Sequence, residues 1–181
     1  AEYKPEKAKE LLDDMNMVDI NGDGYRETPE GEPFNPQLIF TEHATKPGRM
    51  LEMIAKNFSD IGLNINLKMV NRGLYETRFS ANKIQMGEWS VATTIGKFWY
   101  DPTGMQHFAP IFTPVNNPWP AYTNWYATEG EEGIEPPDEI KQLREYAETI
   151  LYSTDKEKQI EATTKLLESQ AENLWTIGTV G

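Results

Sequence analysis

The sequence predicts an α/β fold: a mixed, mostly parallel sheet flanked by helices, with a long aromatic-rich loop. Three observations lead there. Apolar residues recur at three- and four-residue spacing in several separate segments, the signature of helices with one buried face. Short strand-like runs fall between the first of these, so that strand, helix and strand alternate. Between residues 96 and 137 the periodicity vanishes, and proline, glycine and rings crowd together. A chain of 181 residues is long enough for one domain, which would bury about two thirds of the surface that its unfolded form exposes.

The elements follow in order. Pro5 suits the first turn of a helix, and Ala8, Leu11, Leu12, Met15 and Val18 supply its apolar face. An acidic turn ends it. "FNPQLIFTE" then reads as a strand, and Pro47 opens a second helix with the face Met50, Leu51, Ile54, Phe58 and Ile61, stopped by Gly62. "LNINLKMV" alternates Leu63, Ile65, Leu67 and Met69 with polar residues, as a half-buried strand does. This strand, helix, strand order favours parallel pairing. A short helix near Leu74 to Ala81 and a strand near Trp89 to Ile95 extend the same sheet. After the aromatic loop come two helices, the first with Ile140, Leu143, Ala147 and Ile150 inward, the second with Ile160, Thr163, Leu167 and Leu174. "NLWTIGTVG" closes the chain as an apolar, strand-like segment. An opening that falls directly into a helix and an end without a polar tail suggest a piece excised from a longer protein.

Charge and composition narrow the function. The net charge of −12, from 17 basic and 29 acidic residues, argues against a nucleic-acid groove or an anionic membrane surface, both of which need clustered Lys and Arg. With no cysteine there is no disulfide, thiolate metal site or cysteine nucleophile, and both cytosolic and exported proteins fit. No apolar run is long enough to span a membrane, and "AEYKPEKAKE" has no signal-peptide core. The chain is therefore cytosolic, or a mature or excised piece.

Catalytic signatures are scarce. A Ser-centred nucleophile elbow, a phosphate-cradling glycine loop and a His-Glu-x-x-His helix are all missing from the sequence. His43 and His107 stand far apart and read as loop or surface residues. A carboxylate pair that hydrolyses glycosides remains an alternative, but among so many acidic residues some pair always falls at a workable distance.

"DINGDGYRETPE" carries calcium-loop spacing. Asp19, Asn21 and Asp23 occupy the first, third and fifth places, Gly24 the sixth, Tyr25 the seventh and Glu30 the twelfth. An EF-hand needs helices on both sides, and Pro33 and Pro36 forbid one after Glu30. Pro29 constrains the return of Glu30, and Arg26 brings a competing positive charge into the loop. A polar turn satisfied by its own side chains is the plainer reading, and a structural calcium the sharper one.

The loop from 96 to 137 offers Phe98, Trp99, Tyr100, Phe108, Trp119, Tyr122, Trp125 and Tyr126. Such rings either pin the loop to the domain or stack on a sugar or apolar group, with Tyr hydroxyls and Trp N–H groups fixing orientation.

Taken together, "YKPEKAKELLDDM" with the turn "DINGDGYRE", then "MIAKNFSDIGLNINLKMVN", "EWSVATTIGKFWYDP" and the helices from "PPDEIKQLREYAETILYSTDKEKQIEATTKLLESQAENLWTIGTVG", resemble one family. It is the oligopeptide, dipeptide and nickel-binding family (family 5) of extracytoplasmic solute-binding proteins of ABC importers. The resemblance spans nearly the whole chain. It implies a type II periplasmic-binding-protein-like lobe, with residues 1–181 as the carboxy-terminal, ligand-closing lobe of a two-lobed receptor whose amino-terminal lobe is missing.

Its implied partners are a small oligomeric solute and a membrane permease, without nucleic acid and without catalysis. It would work outside the cytoplasmic membrane, in the periplasm or anchored to the outer face as a lipoprotein. No cofactor is required, so a calcium ion would be structural. Phe98, Trp99, Tyr100 and Asp101 are the implied ligand contacts, with Trp119 and Trp125 further rings of the same loop. Peptide-binding relatives commonly place an aspartate where Phe98 stands, before the proline matching Pro102, and this departure tilts the expectation toward an oligosaccharide over a peptide. Two rival readings are a glycoside hydrolase fragment and a calcium-dependent carbohydrate-binding module.

Overall fold

The computed structural model describes residues 3–42, 47–89, 102–111 and 118–177. The chain divides into two compact units, one of residues 1–75 with 84–88, the other of residues 76–83 with 89–181.

The first unit is built on a small parallel sheet. Its elements are α1 (Pro5–Asp14), β1 (Gln37–Thr41), α2 (Gly48–Ser59), β2 (Asn66–Val70), the start of α3 (Arg72–Ser80) and β3 (Met86–Gly87). The strand order is β2-β1-β3, with Leu38 opposite Leu67 on one side and Met86 on the other. Central β1 is buried from Leu38 to Thr41, as expected of a parallel strand covered on both faces. Leu38 and Phe40 point to one face and pack with Leu51, Leu63, Ile65 and Met17. Gly62, at φ 86°, ends α2: its N–H donates to Ser59 O while Leu63 N–H donates to Phe58 O, both at 2.9 Å, a Schellman closure that favours glycine. In β3, Gly87 leaves room for Tyr75, whose hydroxyl an added Cβ would meet at 2.6 Å. Burial, with a smaller contribution from Glu88, raises the Tyr75 hydroxyl pKa above its ordinary value.

Several expectations need correction in this unit. Leu63 and Ile65 are buried as expected, but they precede β2, and Met69 within it is 60% exposed because β2 is an edge strand. A short strand not expected from the sequence is found at Met86–Gly87; of the strand expected from Trp89 to Ile95, residues 90–95 fall outside the described ones. Helix α1 forms where expected, yet none of its residues is buried. Leu12 rests against the core, while Leu11 and Met15 are exposed.

The second unit is helical, with α4 (Pro102–Met105), α5 (Pro120–Ala127), α6 (Asp138–Tyr152) and α7 (Lys156–Asn173). Two of these helices interrupt the segment expected to be loop. Their sequences hide them: α5, "PAYTNWYA", mixes rings with Thr and Asn, weak helix formers without an apolar stripe. Helix α6 buries Ile140, Leu143, Ala147 and Ile150, the four residues its spacing singles out. Asp155 caps α7, accepting from the N–H groups of Glu157 and Lys158. The buried face of α7 is Ala162, Thr163 and Leu166, so the expected inward Ile160, Leu167 and Leu174 are instead exposed. Thr163 shares the inner face because its hydroxyl donates back to Gln159 O at 2.7 Å, which removes the cost of burying it.

The strand-like ending is seen only in part, since residues 178–181 lie outside the described ones. Leu174 leaves α7 in the left-handed conformation, at φ 51°, and residues 174–177 form no strand. They fold back through polar contacts: Trp175 Nε1 donates to Ser169 Oγ at 3.1 Å and Thr176 Oγ1 to His107 O at 2.9 Å.

Candidate functional site

Among the described residues, two places gather chemistry-bearing side chains: the acidic turn of the first unit, and the aromatic cluster of the second.

The turn is closed by its own hydrogen bonds. Asp19 accepts from Gly22 N–H at 2.7 Å with Oδ1 and from Gly24 N–H at 2.9 Å with Oδ2. Asn21 Oδ1 accepts from Asp23 N–H, and Asp23 Oδ1 from Tyr25 N–H, each at 2.8 Å. Gly22 and Gly24 sit at φ 80° and 92°, conformations that glycine adopts without strain. These bonds are those of a polar turn.

Glu27 completes the set, and the sequence reading missed it. Only 5% exposed, it accepts from Ile20 N–H and from Asn21 Nδ2, both at 2.7 Å. Among the described residues, Asp19, Asp23 and Glu27 form the group whose carboxylate oxygens lie within 4.8 Å of one another, close enough for a hard cation. Glu30 is not part of it. Gly31 N–H donates to Thr28 O and Thr28 N–H to Glu32 O, both at 2.8 Å, while Glu27 and Pro33 form an antiparallel bridge. The chain thus reverses over Pro29 and Glu30, which puts Glu30 at the tip of a turn. "TPEG" carried that signal, with proline second and glycine fourth, but the twelve-residue template overrode it.

Arg26 does not compete for the loop's interior either. Its guanidinium turns away to Asp13 and the Met17 carbonyl, and Nε donates to Ile61 O at 3.0 Å. It lies over Gly62, where a Cβ would meet its side chain at 3.1 Å. Arg26 therefore ties the end of α1 to the end of α2.

In the second unit the rings divide between core and surface. Trp119, expected as a ligand contact, is a core residue at 7% exposure, with Tyr122 stacked at 6.3 Å and Trp175 edge-on at 5.4 Å. Its faces are occupied by packing, which corrects that expectation. Phe108 and Tyr122 also pack on this core. Trp125 is half-buried, edge-on to Tyr126 at 5.0 Å, with Lys141 Nζ 5.9 Å from its ring centre. Arg144 lies over Tyr126 at 4.1 Å and donates to Pro110 O at 3.0 Å. Burial raises the Tyr126 pKa, against the opposing pull of Arg144 and Lys141. Gly133 makes this arrangement possible, since a Cβ there would meet Ala121 O at 2.3 Å.

His107 lies in a turn, in line with its reading as a loop or surface residue, but it is buried, and burial lowers its pKa. Phe98, Trp99, Tyr100 and Asp101, the principal expected contacts, lie outside the described residues, as does His43.

Comparison with known proteins gives a consistent answer. The family described as bacterial extracellular solute-binding proteins, family 5 middle, matches residues 1–119. No curated protein matches the chain. Among solved structures, it is similar to the oligopeptide-binding protein OppA, at 24% identity and TM-score 0.79 over 99% of this chain. Similar, too, is the periplasmic binding protein MelB of Agrobacterium fabrum in complex with stachyose, at 17% identity and TM-score 0.74 over 97%. A third is the mannohexaose-bound periplasmic oligopeptide-binding protein of Thermotoga maritima, at 23% identity and TM-score 0.65 over 96%. The chain spans 30%, 25% and 30% of these three, in that order.

Proposed function

Because this chain belongs to family 5 of the bacterial extracellular solute-binding proteins, we propose that it is one lobe of the substrate-binding component of an ABC importer. The observation that carries the reading is the family match over residues 1–119, on a chain that spans under a third of the similar solved structures. Residues 1–181 would form the carboxy-terminal lobe as a single lobe, despite its two compact units. It would act outside the cytoplasmic membrane. The missing amino-terminal lobe would hold a small oligomeric solute, and this lobe would close over it. Contacts made to both lobes stabilise the closed form, which the permease recognises.

Phe98, Trp99, Tyr100 and Asp101 are the proposed contacts, with Trp125 as a further ring. What supports them is the resemblance: in this family the loop after the strand expected from Trp89 to Ile95 faces the ligand, in keeping with the rule that ligands of parallel sheets sit beyond the carboxyl ends of the strands. The solute is an oligopeptide or an oligosaccharide. Rings without an ammonium-pairing aspartate at Phe98 favour the oligosaccharide, and proteins similar in fold carry stachyose and mannohexaose. The lobe contributes binding, not catalysis. Calcium held by Asp19, Asn21, Asp23 and Glu27 would be structural.

Native mass spectrometry of the full-length protein from its own host tests this reading. A co-purified sugar or peptide is expected; a protein that turns over a chromogenic glycoside would instead support the hydrolase alternative. Chelator should leave solute binding unchanged, whereas a calcium-dependent carbohydrate-binding module would lose it.

A further inference from the structure

The sequence contains one Asn-Gly pair, Asn21-Gly22, and the fold places it in the exposed acidic turn. The side chain of an asparagine is open to attack by the backbone nitrogen that follows it, and most so before glycine, which has no Cβ to block the approach. Gly22 keeps that approach clear: it holds φ 80°, and nothing lies within 4 Å of the position a Cβ would take.

The turn arranges the groups that such an attack needs. Gly22 N–H donates to Asp19 Oδ1 at 2.7 Å, within reach for a carboxylate that takes up a proton as a bond forms. Asn21 Oδ1 accepts from Asp23 N–H at 2.8 Å, a bond that folds the carboxamide back across the Gly22 peptide and stabilises negative charge building on that oxygen. Asn21 Nδ2 donates to Glu27 Oε1 at 2.7 Å, so the nitrogen that would leave is fixed by a buried carboxylate. Nucleophile, base, oxyanion donor and leaving group therefore belong to one turn.

We propose that Asn21 is a self-modification site, converted to aspartate and isoaspartate through a succinimide, with Asp19 as general base. As Gly22 N bonds to Asn21 Cγ, its proton passes to Asp19, and the charge on Oδ1 is met by Asp23 N–H. The tetrahedral carbon then collapses: the Cγ–Nδ2 bond breaks, Asp19 returns the proton to Nδ2, and ammonia departs. Water, which reaches the exposed turn, opens the cyclic imide at either carbonyl and leaves aspartate or isoaspartate at position 21. Either product lacks the Nδ2 donor and carries a new carboxylate beside buried Glu27, so the turn loosens.

The test incubates the full-length protein at neutral pH with chelator, since calcium in the turn would draw the same oxygens to itself. Peptide mass spectrometry, with fragmentation that separates isoaspartate from aspartate, follows position 21. Rates are compared in the folded protein, in the same protein unfolded in urea, and in Asp19→Asn, which keeps an acceptor for Gly22 N–H but loses the base. Conversion is expected to be faster in the folded than in the unfolded protein by roughly tenfold or more, and Asp19→Asn should fall to the unfolded rate. Folded conversion no faster than unfolded would overturn the proposal, whatever the variant does. So would Asp19→Asn converting at the wild-type rate with an unchanged circular dichroism spectrum.

Discussion

Helices α1 and α6 look alike in sequence and fare differently in the fold. Each begins beside a proline, carries acid in its first turn and repeats apolar residues on one side. Helix α6 buries Ile140, Leu143, Ala147 and Ile150, because α7 belongs to the same unit and packs along it. Helix α1 buries none, and only Leu12 reaches the core of its unit. Periodicity reports that a helix has a face; it does not report where the cover for that face comes from. The exposed Ile160, Leu167 and Leu174 of α7 make the same point within a single element.

The sharpest way to break this comparison is to truncate one leucine on each helix. Leu143→Ala in α6, where the side chain is 3% exposed, should cost about 2–5 kcal/mol, as for other buried leucines. Leu11→Ala in α1, 51% exposed, should cost about 0.5 kcal/mol or less. Urea unfolding of this chain, followed by circular dichroism, measures both. Equal losses would mean that α1 is as well covered as α6.

A smaller effect separates packing from polar anchoring at the end of α1. Arg26→Ala removes hydrogen bonds to Asp13, Met17 O and Ile61 O, and about 1.5–3 kcal/mol should be lost in the same measurement. Asp13 is more than half exposed, so most of that loss comes from the two carbonyls left without a donor. Arg26→Lys should restore only part of it, since an ammonium lacks the guanidinium fork. Full recovery would show that charge alone holds the joint.

The smallest effect concerns the helical unit alone. Burial holds the His107 pKa below its ordinary 6.5, so the unfolded chain takes up a proton that the folded one refuses. Stability should therefore be insensitive to this group above pH 6.5 and fall as the pH drops below it, down to the folded value. Melting temperatures of wild type and His107→Gln across that range check the sign. A wild-type curve parallel to that of the variant would remove His107 from the account.

Much of the fold was legible, and the misses share a cause. Local signals worked where the chain decides locally: Pro5, Pro47 and Gly62 marked helix ends, and the parallel pairing of β1 with β2 followed from strand, helix and strand. Signals failed where tertiary context decides. Met69 kept its alternation but lay on an edge strand, and Leu167 kept its spacing but turned outward. Helix α5 had no stripe to find, because its buried residues are Pro120 and Thr123 while its rings are only partly buried. At the acidic turn the ligand types were legible and the last position was not. Glu30 matched a template, whereas Glu27 is brought in by a "TPEG" reversal that the template ignores. Trp119 was one ring among many until the fold placed it in the core.

The central proposal is that the rings Phe98, Trp99 and Tyr100 grip a solute between two lobes. Calorimetric titration of the full-length protein with its co-purified solute, comparing wild type with Trp99→Ala, tests it most directly. The account predicts a loss of affinity of at least tenfold, about 1.4 kcal/mol. Unchanged affinity in a variant that remains folded would contradict it.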